Sequence, residues 1–216
     1  VATVAIAALA FTGLINAIVR LHPADLFSST YGLLVVAKTD AAHQGLALQF
    51  KKHQVGKTYQ ALVYGDPREK TGQIDLPVGR HPVERKKMST KSRRGKEAAT
   101  RWRIAERFGV ATLLNVDIVT GRTHQIRVHL AAIGHPVVGD AVYGSSKRAT
   151  TLTDPAVKGR LKEMSRQALH AARLSFTHPV THKILEFHAP LPADMEDLCA
   201  FLRKHCCPDS QLVLQA

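Results

Sequence analysis

Gly32 to Thr39 reads Gly-Leu-Leu-Val-Val-Ala-Lys-Thr, an apolar run behind a glycine and the pattern of a buried strand. Asp40 then offers a side-chain oxygen to open a helix. Ala42, Leu46, Leu48 and Phe50 are among its apolar positions, and Lys51 and Lys52 stand where cations suit the helix end, so a helix is predicted to about His53. Lys57 to Tyr64 alternates like a strand and closes on the turn residues Gly65-Asp66-Pro67. A short strand is predicted over Gly72 to Gly79, and a strand pair over Arg101–Phe108 and Thr112–Val119, turned at Gly109. His124 to Ile133 reads as a short helix. Ala168–Phe176 and Ile184–His188 form a second strand pair. Ala193 to His205 is amphipathic, with Met195, Leu198, Phe201 and Leu202 on its apolar side. Strands dominate and helices flank, which predicts an α+β fold with a mixed, largely antiparallel sheet. There is no internal repeat and no low-complexity stretch.

Val1 to Val19 is almost uncharged, and two readings stay open for it, a buried helix or a membrane segment. Thr3, Thr12, Gly13 and Asn16 interrupt the run and no basic residues precede it, which favours the helix. The formal net charge of +13 points to a polyanionic partner, nucleic acid ahead of membrane. A basic protein without a specific partner is the plain alternative. Three cysteines, two of them adjacent at Cys206 and Cys207, make neither a disulfide framework nor a metal-ligand spacing. They read as free thiols of a reducing compartment, the cytoplasm, with an organelle as the alternative.

The most informative segment is Gly121-Arg122-Thr123-His124-Gln125-Ile126-Arg127-Val128-His129. Donors to phosphate or carboxylate alternate there with Ile126 and Val128, which must pack. A polar turn leading into an ordinary amphipathic helix explains the same letters. Arg122 and Arg127 are five apart and need not share a helical face, so one can serve RNA phosphate and the other a buried carboxylate. Upstream, Lys and Arg recur from Arg85 to Lys96, a candidate RNA contact that includes Lys86 and Lys87.

Those nine residues resemble the third signature of the RluA/RluD-type RNA pseudouridine synthases. Other segments are similar to the same family in the same order: Lys57-Thr58-Tyr59, Gly79-Arg80-His81-Pro82, Lys87-Met88, Ile133-Gly134-His135-Pro136-Val137-Val138-Gly139-Asp140 with Tyr143-Gly144, Arg166 to Ala171, and Ala189-Pro190-Leu191-Pro192. The similarity runs from about Gly32 to His205. The resemblance implies isomerisation of uridine to pseudouridine in structured RNA, ribosomal RNA ahead of transfer RNA, without metal or cofactor. It implies an aspartate nucleophile, Tyr59 against the flipped base and Arg127 as the ionic partner of that aspartate. Such chemistry is physically sound, since a carboxylate nucleophile splits a hard step into easier ones and the base must leave its stack to be reached. Arg80, His81, Arg122, His124 and Gln125 are further candidates for RNA contact. A monomer with no membrane association is expected.

The departure lies at the N-terminus. The family's first signature pairs His-Arg-Leu-Asp with a later Thr-Ser-Gly. Here Thr30-Tyr31-Gly32 answers the second half, while the counted nucleophile position falls on Phe27, or on His22 if Arg20-Leu21 is the match. Asp25 is the only carboxylate before Lys38 and is therefore the candidate nucleophile, carried there by a bulged loop. Without it the expected counter-ion of Arg127 is gone, which predicts a catalytically inactive RNA-binding protein of lowered stability. The expected organisation is an atypical segment 1–31, a catalytic domain 32–205 and a tail 206–216.

Overall fold

The computed structural model describes residues 40–84 and 87–206. The run Val1–Val19, Asp25, the expected strand 32–39, Arg85, Lys86 and the tail from Cys207 onward lie outside the described residues.

Helix α1 (Asp40–Lys51) precedes strand β1 (Gly56–Tyr64), which is central to the molecule. Strands β2 (Thr71–Asp75), β5 (Ala99–Arg107), β6 (Ala111–Ile118), β7 (Leu169–Thr177) and β8 (Ile184–His188) complete a sheet of order β2-β5-β6-β1-β7-β8. Two-residue strands β3 (Gly79–Arg80) and β4 (Met88–Ser89) form a separate hairpin. Every ladder among the described strands is antiparallel. Short turns explain part of this: Gly109, at φ +72°, reverses the chain between β5 and β6 where a side-chained residue would be strained.

Ala61, Leu62, Val63 and Tyr64 are all buried at the end of β1, so both faces of the sheet are covered there. The neighbour on one side is β6 from Thr58 to Tyr64, whereas β7 pairs with Gly56 to Ala61. Beyond that point a second segment takes the place of β7. Val137 bridges Val63, the Tyr64 N–H donates to the Pro136 carbonyl, and the Val138 N–H donates to the Leu62 carbonyl. Ala168 closes the arrangement, donating to Val138 and accepting from Leu62. Gly139 and Asp140 are thereby delivered beside the central strand.

Helix α2 (Gln125–Ala132) enters the same core through Ile126 and Leu130, and α4 (Pro155–Lys162) through Val157 and Leu161. Helix α5 (Ala193–Cys206) buries Met195, Leu198, Cys199 and Leu202, the spacing of one helical face. Arg203 fixes α5 to β5 through two bonds to Glu106, at 2.6 and 2.7 Å. Burial pushes the Cys199 thiol up to about 12, so it is an inert core group. No helix among the described residues is long and apolar enough to cross a membrane.

Candidate active site

The loop before α2 is built around Gln125, which is almost fully buried. Its carbonyl oxygen accepts from the Thr120 hydroxyl at 2.7 Å and the Arg122 N–H at 3.0 Å. Its amide nitrogen donates to the Ala99 carbonyl and to Thr100 Oγ1, both at 3.0 Å. Thr100 passes its own hydrogen to His129 Nδ1 at 2.9 Å, and His129 Nε2 donates to the Leu76 carbonyl at 2.9 Å. That sequence of donors fixes the neutral imidazole of a histidine with no exposed surface. His124, at the mouth of the helix, sits in left-handed backbone at φ +56°.

Burial lowers the pKa of His129, with the Leu76 carbonyl and the Asp75 charge opposing it, and burial likewise lowers His124 and His170. The unfolded chain thus takes up protons near 6.5 that the folded chain refuses. Stability from these groups is full above that value and is lost as pH falls through the lowered native values. Thermal melts from about pH 7.5 to 5 are expected to show a falling midpoint on the acid side. In His129→Gln the fall is expected to be shallower; an unchanged slope would remove His129 from the account.

Arg127 leaves α2 toward Asp140, donating from Nε to Oδ2 at 2.7 Å and from Nη2 to Oδ1 at 2.8 Å. The carboxylate has no exposed surface and the arginine side chain only 12%. Backbone N–H groups of Val142 and Tyr143 add bonds to Oδ1 at 3.0 and 3.2 Å. Burial alone works to raise the Asp140 carboxyl, but the guanidinium and the two amides outweigh it and hold it below its ordinary range. One expectation is thereby corrected: Arg127 does not depend on a carboxylate from the N-terminal segment for its counter-ion. Asp140 is the one carboxylate between Asp117 and Asp154, and that isolation was the signal for its importance.

Tyr143 completes the cluster. Its ring lies against the guanidinium, with Arg127 Cζ 4.9 Å from the centroid, and its hydroxyl is 2.8 Å from His124 Nδ1. Tyr59 projects from β1 and packs partly buried against the core; burial pushes its phenol up, and no described residue hydrogen-bonds its hydroxyl. Tyr59 stands opposite Val116 of β6, and Val116 opposite Trp102 of β5. Tyr59 thus shares a face with Thr100, which is two residues from Trp102 and bonds Gln125 and His129 of α2. Tyr59 therefore faces the side on which the Gly121 loop enters α2. The Lys57 ammonium is 5.6 Å from the Phe50 centroid, and a Cβ on Gly121 would lie 3.7 Å from it. Lys57, whose pKa is lowered by burial, is a half-buried cation here.

The remaining expected residues are distributed unevenly. Arg80 is exposed on β3. His81 Nδ1 accepts from the Val83 and Glu84 N–H groups at 3.3 and 3.0 Å, so it shapes the hairpin turn. Lys87 pairs with Glu84 at 2.6 Å, and Arg122 donates to the Glu97 carbonyl at 3.1 Å. Gln125 is interior, with both ends of its amide engaged, so it holds the loop rather than meeting RNA. Lys86 and Asp25 lie outside the described residues. No group of His, Cys, Asp and Glu that could hold a metal ion occurs among the described residues.

The sequence model of the RNA pseudouridylate synthase family matches residues 26–132. The chain is 47% identical over 178 residues to "Ribosomal large subunit pseudouridine synthase D" of Nitrosomonas europaea, covering 82% of this chain and 50% of that protein. It spans about half the length of the curated relatives it matches. Among solved structures, "Human RNA Pseudouridylate Synthase Domain Containing 1" is 30% identical with a TM-score of 0.60, over 82% of this chain and 78% of that one. "Human RNA Pseudouridylate Synthase Domain Containing 4", 23% identical over 80% and 71%, shares the fold at a TM-score of 0.65.

Proposed function

Because the chain belongs to the RNA pseudouridylate synthase family, we propose that it isomerises uridine to pseudouridine in structured RNA, with ribosomal RNA as the substrate class. The observation that carries this reading is the Arg127–Asp140 pair at the start of α2, on the side of the sheet toward which Tyr59 points. Asp140 engages Nε and Nη2 of the guanidinium. A guanidinium has five N–H donors, so Arg127 keeps donors for a second anion. In this reading the second anion is the Asp25 carboxylate, ionised and aimed by the arginine.

Asp25 attacks C1′ and bonds there as the N1–C1′ bond breaks, the uracil leaving with the electron pair. Tyr59 supports the flipped uracil as it turns, C5 bonds to C1′ as the Asp25–C1′ bond breaks and returns the carboxylate, and the C5 proton is released as N1 gains one. Atoms and electrons balance without a redox partner or cofactor. Arg80, His81, Lys86, Lys87, Arg122 and His124 meet the RNA, and the net charge of +13 supports salt-sensitive binding. The reading places a monomer in the cytoplasm, consistent with the buried free thiol of Cys199.

Phe27 at the counted nucleophile position favours a second reading, an RNA-binding protein of the same fold without the reaction. Tritium release from C5-labelled unmodified ribosomal RNA separates the two. Release above background, abolished in Asp25→Ala, is the expected result. Salt-dependent binding with no release would establish the second reading instead.

A further inference from the structure

The hairpin that carries Arg80, His81 and Lys87 and the helix that carries Arg127 are distant in sequence, and one side chain joins them. The Tyr143 hydroxyl accepts the Met88 N–H of β4 at 2.8 Å. The same oxygen is 2.8 Å from His124 Nδ1 at the mouth of α2. The ring lies against Arg127, and the Tyr143 N–H donates to Asp140 Oδ1 at 3.2 Å. A hydroxyl has one hydrogen and two lone pairs. Met88 takes a lone pair, which leaves the hydrogen to donate to a neutral His124. Both polar contacts are then satisfied by one atom.

The hairpin needs such an anchor. Strands β3 and β4 have two residues each and, among the described residues, pair only with one another. A two-stranded ribbon of that length has little stability of its own. Among the described residues a bridge between Val78 and Lys96 ties its base to the chain that continues into β5. Without the Tyr143 contact the hairpin is held less firmly against α2, and ordering it when RNA binds subtracts from affinity.

We propose that Tyr143 is a positioning residue for the reaction proposed above, locking the basic β3–β4 hairpin onto the Arg127–Asp140 pair so that RNA binding and the reacting centre share one geometry. The inference rests on the uridine-isomerising reading for its catalytic consequence and on geometry alone for the lock.

The test is Tyr143→Phe in the full chain, which keeps the ring against Arg127 and removes both hydroxyl contacts. Three quantities are measured: amide hydrogen exchange over residues 79–89 without RNA, the Kd for an unmodified ribosomal RNA fragment at fixed salt, and the kinetics of tritium release. Exchange at the Met88 amide is expected to quicken about tenfold, the worth of one ordinary net hydrogen bond. Kd and KM are expected to rise together about five- to tenfold, with a smaller fall in kcat and an intact thermal transition. Tyr143→Leu, which also strips the ring from Arg127, is expected to lower kcat further. Unchanged exchange and unchanged Kd in folded Tyr143→Phe would overturn the proposal, as would a loss confined to kcat. If the wild-type chain neither binds nor converts the RNA, the functional reading fails, while exchange at Met88 still decides the lock.

Discussion

Asp140→Ala is expected to destabilise the fold by about 3–5 kcal/mol, the range for removing one partner of a buried ion pair. The carboxylate has no exposed surface, and the arginine it holds is 88% shielded by the complement of its 12% exposure. Truncation leaves that guanidinium without its bidentate acceptor and strands the N–H groups of Val142 and Tyr143 as well. Equilibrium urea unfolding at neutral pH measures the loss as a shift of the midpoint at constant slope. Arg127→Met combined with Asp140→Ala is expected to recover part of it, because no unpaired charge then remains in the interior. A single-variant loss within about 1 kcal/mol would mean that Arg127 finds another anion without cost. The pair also bears on the chain's departure at the N-terminus. Since Asp140 neutralises Arg127 from within the described fold, loss of the usual nucleophile does not by itself leave a buried charge, and an inactive chain would keep its stability.

Much of the sheet was legible because its elements carry strong local patterns. The run Lys57–Tyr64 closed by Gly65-Asp66-Pro67, the glycine at the β5–β6 turn and the helical spacing of Met195, Leu198 and Leu202 each identify an element without tertiary knowledge, although Cys199 rather than the expected Phe201 completes the buried face of α5. Helix α4 was not read, since it offers only Val157 and Leu161 to the core, too few positions to set a period. Its start was nevertheless written in Asp154-Pro155, a capping acid that accepts from Ala156 and Val157, followed by a first-turn proline. The short helix α3 (Ser145–Thr150) has no such signal.

The site was legible in part, for a different reason. Arg127 and Tyr59 stood out by resemblance, but their surroundings depend on which distant strand fills the place beside β1. Nothing in Pro136-Val137-Val138 names Leu62 and Val63 as partners more than seventy residues upstream. Asp140 therefore looked like one more matching letter rather than the anchor of the arginine. Tyr143 was equally silent: one partner of its hydroxyl is the Met88 backbone amide, which leaves no mark in sequence, and the other is His124, which no local pattern links to it. Gln125 misled in the opposite direction: a polar residue in the segment that carries Arg122 and Arg127 reads as surface, yet here its amide is the framework of the loop.

Gly139→Ala is expected to be as damaging as loss of the carboxylate next to it, although it adds a single methyl group. Gly139 has φ +73°, where a side-chained residue is strained by about 1–2 kcal/mol. A Cβ there would also collide with the Arg166 carbonyl, a backbone atom with no flexible side chain to yield, and would press on Met164. Relief requires the chain to part between Val138 and Ala168, whose N–H donates to the Val138 carbonyl at 2.8 Å. That bond belongs to the segment that stands in for β7 beside β1, so the strain reaches the central strand and the direction of Asp140 together. Overpacking of this kind adds about 1–3 kcal/mol, for a total on the order of 2–5 kcal/mol. Thermal unfolding and RNA binding of Gly139→Ala, read beside Gly109→Ala, make the comparison internal. Gly109 has nearly the same φ, at +72°, but open space where its Cβ would go. Gly109→Ala should show the conformational cost alone, and the excess in Gly139→Ala should report the collision. Equal losses at the two positions would mean that the β1 neighbour yields freely, and the rigid delivery of Asp140 to Arg127 would have to be abandoned.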